Sequence, residues 1–298
     1  MSSSRWTADD LPDMTGRTVV VTGANSGLGA VAARELARAG AHLVLAVRDT
    51  RRGEAAAATM PGDTEVRALD LADLASVRAF ADGWEGDLDV LVNNAGVMAL
   101  PRRRTADGFE MQIGTNHLGP FALTNLLLPH VTDRVVTVSS FGHRYGRIDF
   151  DDLNAERRYG RWSAYCQSKL ANLLFTLELQ RRLEAAGSAV AAHAAHPGYA
   201  ATNLQGHSTN LLDRLTMGVT NRLLAQDEEM GALPILYAAT QELPGASYTG
   251  PGGFQEMRGH PTAAGRSVAA GDKQAARRLW ELSEELTGVA FALERAAA

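Results

Sequence analysis

The sequence predicts a doubly wound α/β fold, a three-layer sandwich with helices on both faces of a mostly parallel sheet of about seven strands. Three observations carry this. Runs rich in Val, Leu and Ile alternate with Ala/Leu-rich helical stretches along nearly the whole chain. The runs are almost continuously apolar, as strands buried on both faces must be. Small polar or glycine-rich turns follow several of them, at the strand ends where open parallel sheets form their crevices. With 298 residues the chain can bury one large core, and no linker, repeat or low-complexity block divides it. The expected organisation is a polar N-terminal segment, residues 1–15, followed by a single domain, 16–298.

The first strand is read at 17–22, where Arg17-Thr18-Val19-Val20-Val21 is a β-branched run. Thr22-Gly23-Ala24-Asn25-Ser26-Gly27-Leu28-Gly29 follows, and a helix is read at 28–39. Strand, glycine turn and helix start form the context of a dinucleotide site. The glycines permit a tight turn and close approach of backbone to a pyrophosphate, and the helix N-terminus offers free N–H groups to it. A glycine turn closing an ordinary βα unit is the plainer alternative.

Strand 41–47 runs through Leu43-Val44-Leu45-Ala46-Val47 into Arg48 and Asp49. An acidic side chain at such a strand end favours NAD by bonding a ribose hydroxyl, whereas a guanidinium matches a 2′-phosphate with two hydrogen bonds. Arg48 therefore points to NADP, with NAD possible because Asp49 could pair Arg48 or reach a ribose. Helices are read near 50–59 and 73–82, and a strand at 64–69. The strand at 88–92 ends in Asn93-Asn94-Ala95-Gly96, by itself a plausible turn. A helix is read across 105–129. Pro120 interrupts it, removing one backbone hydrogen bond and freeing a carbonyl. The strand at 134–139 leads into Ser139-Ser140, two hydroxyls that either cap backbone groups or hold a substrate oxygen. A helix is read at 163–186, a strand at 189–195, a short strand near Ser247–Thr249, and helices near 227–240 and 272–286.

Tyr165 and Lys169 lie four residues apart within the 163–186 helix, hence on one face. A free phenol has a pKa of about 10, too high for easy proton exchange at neutral pH, and a nearby cation lowers it. The pair is thus a candidate general acid/base, although Tyr and Lys at this spacing also occur as ordinary surface pairs.

Taken together the motifs resemble the short-chain dehydrogenase/reductase family, and more narrowly its retinol-dehydrogenase-like and WW-domain-oxidoreductase-like members. The resemblance runs from about Gly16 to the C-terminal helix. It is carried by the glycine turn, Asn93 to Gly96, Asn116, Ser140, the Tyr165–Lys169 segment, and His196-Pro197-Gly198 followed by Thr202. It implies a Rossmann-type fold and an NADP(H)-dependent oxidoreductase interconverting a carbonyl and an alcohol by hydride transfer. Tyr165 would be the general acid/base. Lys169 would lower its pKa and bond the nicotinamide ribose. Ser140 would hold the substrate oxygen, and the Asn116 backbone carbonyl would hold a water leading toward Lys169. Gly23, Asn25, Ser26, Gly27, Leu28 and Gly29 would cradle the phosphates. Asp70 and Leu71 would lie near adenine, Asn93, Ala95 and Gly96 near the ribose, and Pro197, Gly198 and Thr202 near the carboxamide. The separation of Ser140 from Tyr165 exceeds that of the family's shortest members; the extra residues fall in Phe141 to Trp162. The apolar stretch 203–225 is expected to be a substrate lid over a small apolar carbonyl or alcohol.

Two alternatives come from other classes. A sugar-nucleotide epimerase or dehydratase shares the Tyr-x-x-x-Lys pair, but the spacing of Gly23, Gly27 and Gly29 disfavours it. A non-catalytic cofactor-binding protein would not need Asn116, Ser140, Tyr165 and Lys169 together. The net charge of −5 gives no case for a nucleic-acid partner. Arg102-Arg103-Arg104 reads as a solvated face. The single cysteine, Cys166, suits a reducing compartment, and the histidines show no metal-ligand spacing. Residues 1–14 contain no apolar stretch long enough for a span or signal, so the expectation is a cytoplasmic protein with no membrane partner. A homo-oligomer is possible.

Overall fold

A computed structural model describes residues 5–198 and 227–293 of the chain. Strands β1 (Thr18–Thr22), β2 (His42–Val47), β3 (Thr64–Ala68), β4 (Leu88–Asn93), β5 (Val131–Val138), β6 (Ala191–Ala195), β7 (Tyr248–Pro251) and β8 (Pro261–Ala263) form one sheet. Their order is β3-β2-β1-β4-β5-β6-β7-β8. Neighbours from β3 to β7 are parallel, and β8 returns antiparallel on β7. The seven parallel strands are those read from the sequence. β8 is too short, and too rich in turn residues, to announce itself as a strand.

Both faces of the sheet are covered, which explains the continuous apolar runs. Successive side chains of a strand point to opposite faces. Val19 and Val21 accordingly pack with Ala32, Leu36 and Leu236 on one side, while Val20 packs with Phe121, Leu179 and Trp280 on the other. Helices α1 (Gly27–Arg38) and α7 (Glu228–Thr240) supply the first layer; α3 (Leu74–Asp82), α5 (Gly119–Leu127), α6 (Arg161–Ala186) and α8 (Lys273–Thr287) supply the second. The small helix α2 (Thr50–Ala57) and α4 (Met111–Ile113) complete the set among the described residues. Carboxylates at Asp49, Asp73, Asp227 and Asp272 accept from backbone N–H groups in the first turns of α2, α3, α7 and α8.

The helix expected across 105–129 is shorter and broken. Residues 105–110 instead form a turn closed by an Arg104–Glu110 bridge, with Gly108 at φ +87°. Helix starts only at Met111, because the buried Glu110 carboxylate accepts from the N–H groups of Gln112 and Ile113 at 3.0 and 2.9 Å. Gly114–Leu118 then forms a widened π-type turn before Pro120. Proline has no N–H to offer the carbonyl four residues back, that of Asn116, so the wider turn relieves the break rather than a simple kink.

The chain steps outward from β1 to β2 and β3, then returns to β4 on the other side of β1. The C-terminal ends of β1 and β4 therefore flank a crevice at the point where strand order reverses.

Trp280 is almost wholly buried, stacked 5.6 Å from Phe175 and edge-on to Phe121 at 4.9 Å, with the Arg182 guanidinium 4.6 Å from its ring. Trp280→Ala should cost about 3–5 kcal/mol in urea unfolding. A loss below about 1 kcal/mol would show that this layer collapses to fill the cavity.

Candidate active site

The crevice is lined first by the glycine turn. Thr22 at the end of β1 accepts from the backbone N–H groups of Asn94 and Ala95 at 3.0 and 2.9 Å, and the Asn94 amide donates to the Thr22 carbonyl at 2.8 Å. These bonds tie the turns after β1 and β4 together. Gly23 adopts φ +67°, and a Cβ on Gly29 would lie 2.5 Å from the Gly23 carbonyl oxygen, so both positions require glycine. Ser26 stands at the N-cap of α1 without a side-chain cap, and the first-turn N–H groups are left facing the crevice. The cradle of Gly23, Asn25, Ser26, Gly27, Leu28 and Gly29 thus fits the phosphates of a dinucleotide.

Arg48 is exposed just past β2. Asp49 is occupied elsewhere: its carboxylate accepts from Arg52 N–H at 3.1 Å and caps α2. Asp70 folds back on its own loop, accepting from Ala72 N–H at 2.9 Å. Leu71 is buried, its carbonyl pressed against Gly119. Asn93 is placed differently from its neighbours. It is buried and its amide donates to Thr124 of α5 at 2.9 Å. Ala95 and Gly96 remain at the crevice.

The Ser, Tyr, Lys and Asn candidates converge at the end of β5. Lys169 and Asn172 of α6 both donate to the Val138 carbonyl, at 3.1 and 3.0 Å. The Ser139 hydroxyl donates to the Lys169 carbonyl at 2.8 Å. Of the two serines, Ser139 therefore locks helix to strand, and Ser140 is the one left at the site. Ser140 Oγ accepts from Gly142 N–H at 3.1 Å, and a Cβ on Gly142 would lie 3.6 Å from that Oγ and 3.3 Å from the Tyr165 ring, so hydroxyl and phenol stand side by side. Asn116 is fully committed: Oδ1 accepts from Val97 N–H at 2.7 Å, and Nδ2 donates to the Val97 carbonyl at 2.9 Å and to Ser168 Oγ at 2.8 Å. It draws the segment after β4 against α6. A Cβ on Gly96 would lie 3.4 Å from Lys169 Nζ and 3.1 Å from Asn116 Oδ1, so the glycine keeps this corner open.

The electrostatics depart from the expectation for Tyr165. Burial pushes its phenol up to about 12, and the neighbouring Ser140 hydroxyl only partly offsets this. Lys169 does not bring it down in the chain alone. Its Nζ lies 5.9 Å from the phenol ring centroid, engaged with Val138, and burial lowers its own pKa to about 8. Cys166 is a buried free thiol pushed upward by burial, consistent with packing rather than reactivity.

Pro197 and Gly198 follow β6 at the same sheet edge, Gly198 at φ +69° against the Met257 carbonyl. Thr202 and the 203–225 stretch lie outside the described residues. The 141–162 stretch packs along α6: Asp149 N–H donates to Gln167 Oε1 at 2.9 Å, and Gln167 Nε2 donates to the Leu153 carbonyl at 3.0 Å. Gln167 and Asn172 are structural partners of the site that sequence reading passed over. Ser139 takes the backbone-bonding role that the reading of the Ser139-Ser140 pair left open. Arg104 pairs with Glu156 at 3.0 Å in an exposed position, in keeping with a solvated face. Among the described residues there is no cluster suited to a metal ion, and no helix is long and apolar enough to cross a membrane.

The model of the short chain dehydrogenase family matches residues 17–211, and the chain belongs to that family. It is an oxidoreductase enzyme of the class that acts at an alcohol or carbonyl carbon with a nicotinamide dinucleotide. Human retinol dehydrogenase 13 is 45% identical over 291 residues, spanning 92% of this chain and 85% of that protein. Human retinol dehydrogenase 12 is 42% identical, spanning 93% and 88%. Among solved structures, an uncharacterized protein from Mycobacterium paratuberculosis is 58% identical, with a TM-score of 0.85 over 97% of this chain and 99% of that one. A Beutenbergia cavernae protein assigned as an NAD(P)-dependent gluconate 5-dehydrogenase, with NADP bound at low occupancy, is 28% identical with a TM-score of 0.59, covering 76% of this chain and 91% of that one.

The depressed Lys169 pKa has a consequence for stability. Unfolded, the side chain returns to about 10.5, so between pH 8 and 10.5 the unfolded state holds more protons and stability rises with pH. Below pH 8 the full cost of the buried charge is present. Lys169→Met removes it, and Asn172 still satisfies the Val138 carbonyl. The variant should therefore be more stable than wild type at pH 7, by roughly 1–3 kcal/mol, the margin shrinking toward pH 10.5 in denaturant melts. A variant less stable than wild type at pH 7 would mean that the Val138 bond outweighs desolvation.

Proposed function

We propose that the protein is an NADP(H)-dependent oxidoreductase interconverting an apolar aldehyde or ketone with its alcohol. The observation that supports this most is the convergence of Ser140, Tyr165, Lys169 and Asn116 beside an uncapped, glycine-lined helix N-terminus. The nicotinamide, when bound, supplies hydride exchange at the substrate carbon. The chain's own residues manage the proton and the geometry. Ser140 Oγ holds the substrate oxygen against the Tyr165 hydroxyl. At neutral pH the buried phenol keeps its proton, the state that protonates a carbonyl oxygen in reduction; alcohol oxidation needs the phenolate and gains as pH rises. Lys169 would bond the nicotinamide ribose from its place beneath Gly96. Asn116 fixes the turn whose carbonyl Pro120 leaves without an α-helical donor, in keeping with a water held there.

NADP preference rests on Arg48. Asp49 is consumed in capping α2, so the guanidinium is the charged side chain at that strand end free to meet a 2′-phosphate. The relatives named retinol dehydrogenases support an apolar, retinoid-like carbonyl or alcohol as the first substrate to try. A cytoplasmic location accords with the lone reduced cysteine.

An NADPH-consumption screen over retinal, long-chain and aromatic aldehydes and ketones tests the reading; no net cofactor oxidation with any of them would count against it. Tyr165→Phe should lower turnover by about 10²–10⁴-fold while leaving cofactor binding nearly intact. Near-normal turnover in the folded variant would sink the Tyr165 assignment. Arg48→Ala should weaken NADPH by about 1.5–3 kcal/mol and NADH far less; equal losses, measured by fluorescence titration, would mean that Arg48 does not read the phosphate.

A further inference from the structure

The Ser140 turn is held from behind by a buried imidazole. Ser140 caps the helical turn Phe141–Tyr145, and His143, three residues on, folds back beneath it. His143 Nδ1 lies 2.7 Å from the Ser140 carbonyl oxygen, which can only accept. Its Nε2 lies 3.3 Å from the Ser267 backbone N–H, which can only donate. One species meets both conditions, the neutral imidazole with its proton on Nδ1. Both ring nitrogens are then engaged by backbone, so the ring is a brace and not a proton carrier. Burial, against the opposing pull of the Ser140 bond, keeps its pKa below the ordinary value. Arg144 and Arg266 act in the same sense as burial, and Glu256 acts against it.

The brace extends to the other end of the site. The His143 ring meets Tyr248 edge-on at 5.5 Å, and Tyr248 lies 5.1 Å from the ring of His196. His196 Nδ1 accepts from Gly198 N–H at 3.2 Å, which leaves the proton on Nε2, 3.4 Å from Glu256 Oε2. Glu256 is itself held by Arg144 at 3.2 Å and by Gly265 N–H at 2.7 Å. A single column of buried rings thus backs both the Ser140 turn and the Pro197-Gly198 turn.

We propose that His143 is a positioning residue, which fixes the Ser140 carbonyl through Nδ1–H and so holds Ser140 Oγ against the Tyr165 phenol, with Ser267 setting its tautomer. The inference rests on the role proposed above for Ser140. A displacement of about 1 Å at such a group costs up to about 10²-fold in rate.

The test is a mutant cycle of His143→Ala and Ser140→Ala in the full chain, with His143→Asn alongside. The asparagine amide N–H reaches the Nδ1 position and keeps the donor to Ser140. His143→Ala should lower kcat by roughly 10- to 100-fold with NADPH affinity unchanged by fluorescence titration. His143→Asn should recover most of that loss. In the Ser140→Ala background, His143→Ala should cost little more, because its effect passes through Ser140. Should His143→Ala fail to fold, His143→Gln takes its place: its amide reaches Ser267 but not Ser140, and it should be impaired where His143→Asn is not. A wild-type kcat in His143→Ala beside an impaired Ser140→Ala overturns this inference alone. So do fully additive losses in the double variant, or a His143→Asn no better than His143→Ala. A wild-type rate in Ser140→Ala overturns the reading of Ser140 and the inference with it.

Discussion

The site depends on one carbonyl. Val138, the last residue of β5, receives both the Lys169 ammonium and the Asn172 amide, while Ser139 returns a hydrogen bond to the Lys169 backbone. These three bonds set the rotation and height of α6 against the sheet. Because Tyr165 stands one turn before Lys169 on that helix, they also determine where the phenol meets Ser140. A buried ammonium whose hydrogen bond goes to one backbone carbonyl is costly, and burial indeed lowers the Lys169 pKa to about 8. The fold carries that cost one helical turn from Tyr165, where the proposed acid/base pair lies.

The second constraint is the sheet's reversal between β1 and β4. It brings the glycine turn and the Asn93–Gly96 turn side by side, and the Thr22–Asn94–Ala95 bonds make them one surface. Asn116 then joins that surface to α6 through Val97 and Ser168. The glycine cradle and the proposed acid/base pair are thus parts of one hydrogen-bonded frame.

The architecture was legible because buried parallel strands cannot hide their apolar runs, and because Gly23, Gly27 and Gly29 sit between a strand and a helix. The Tyr165, Lys169, Ser140 and Asn116 set was legible only through family resemblance; spacing alone left a surface pair open. What sequence missed is mostly side chain to backbone. The buried Glu110 cap that delays the helix to Met111, the inward turn of Asn93 toward Thr124, and the Asp49 cap on α2 all depend on which way a polar side chain faces, which periodicity does not encode. The burial that raises the Tyr165 pKa was hidden for a related reason. Helical spacing places a cation near the ring, but it says nothing of the burial that outweighs it or of the carbonyl that holds the cation elsewhere.

Burial, eased by the Ser140 hydroxyl and not by Lys169, governs the phenol in the chain alone. Titration of ¹³Cζ-tyrosine resonances by NMR, with Tyr165→Phe used for assignment, measures this directly. The Tyr165 signal should stay protonated through pH 10 without cofactor, with Ser140→Ala moving its titration higher still and Lys169→Met leaving it nearly unchanged. A Tyr165 that ionises well below the ordinary phenol range, and that Lys169→Met restores to it, would show instead that the Lys169 charge governs the phenol.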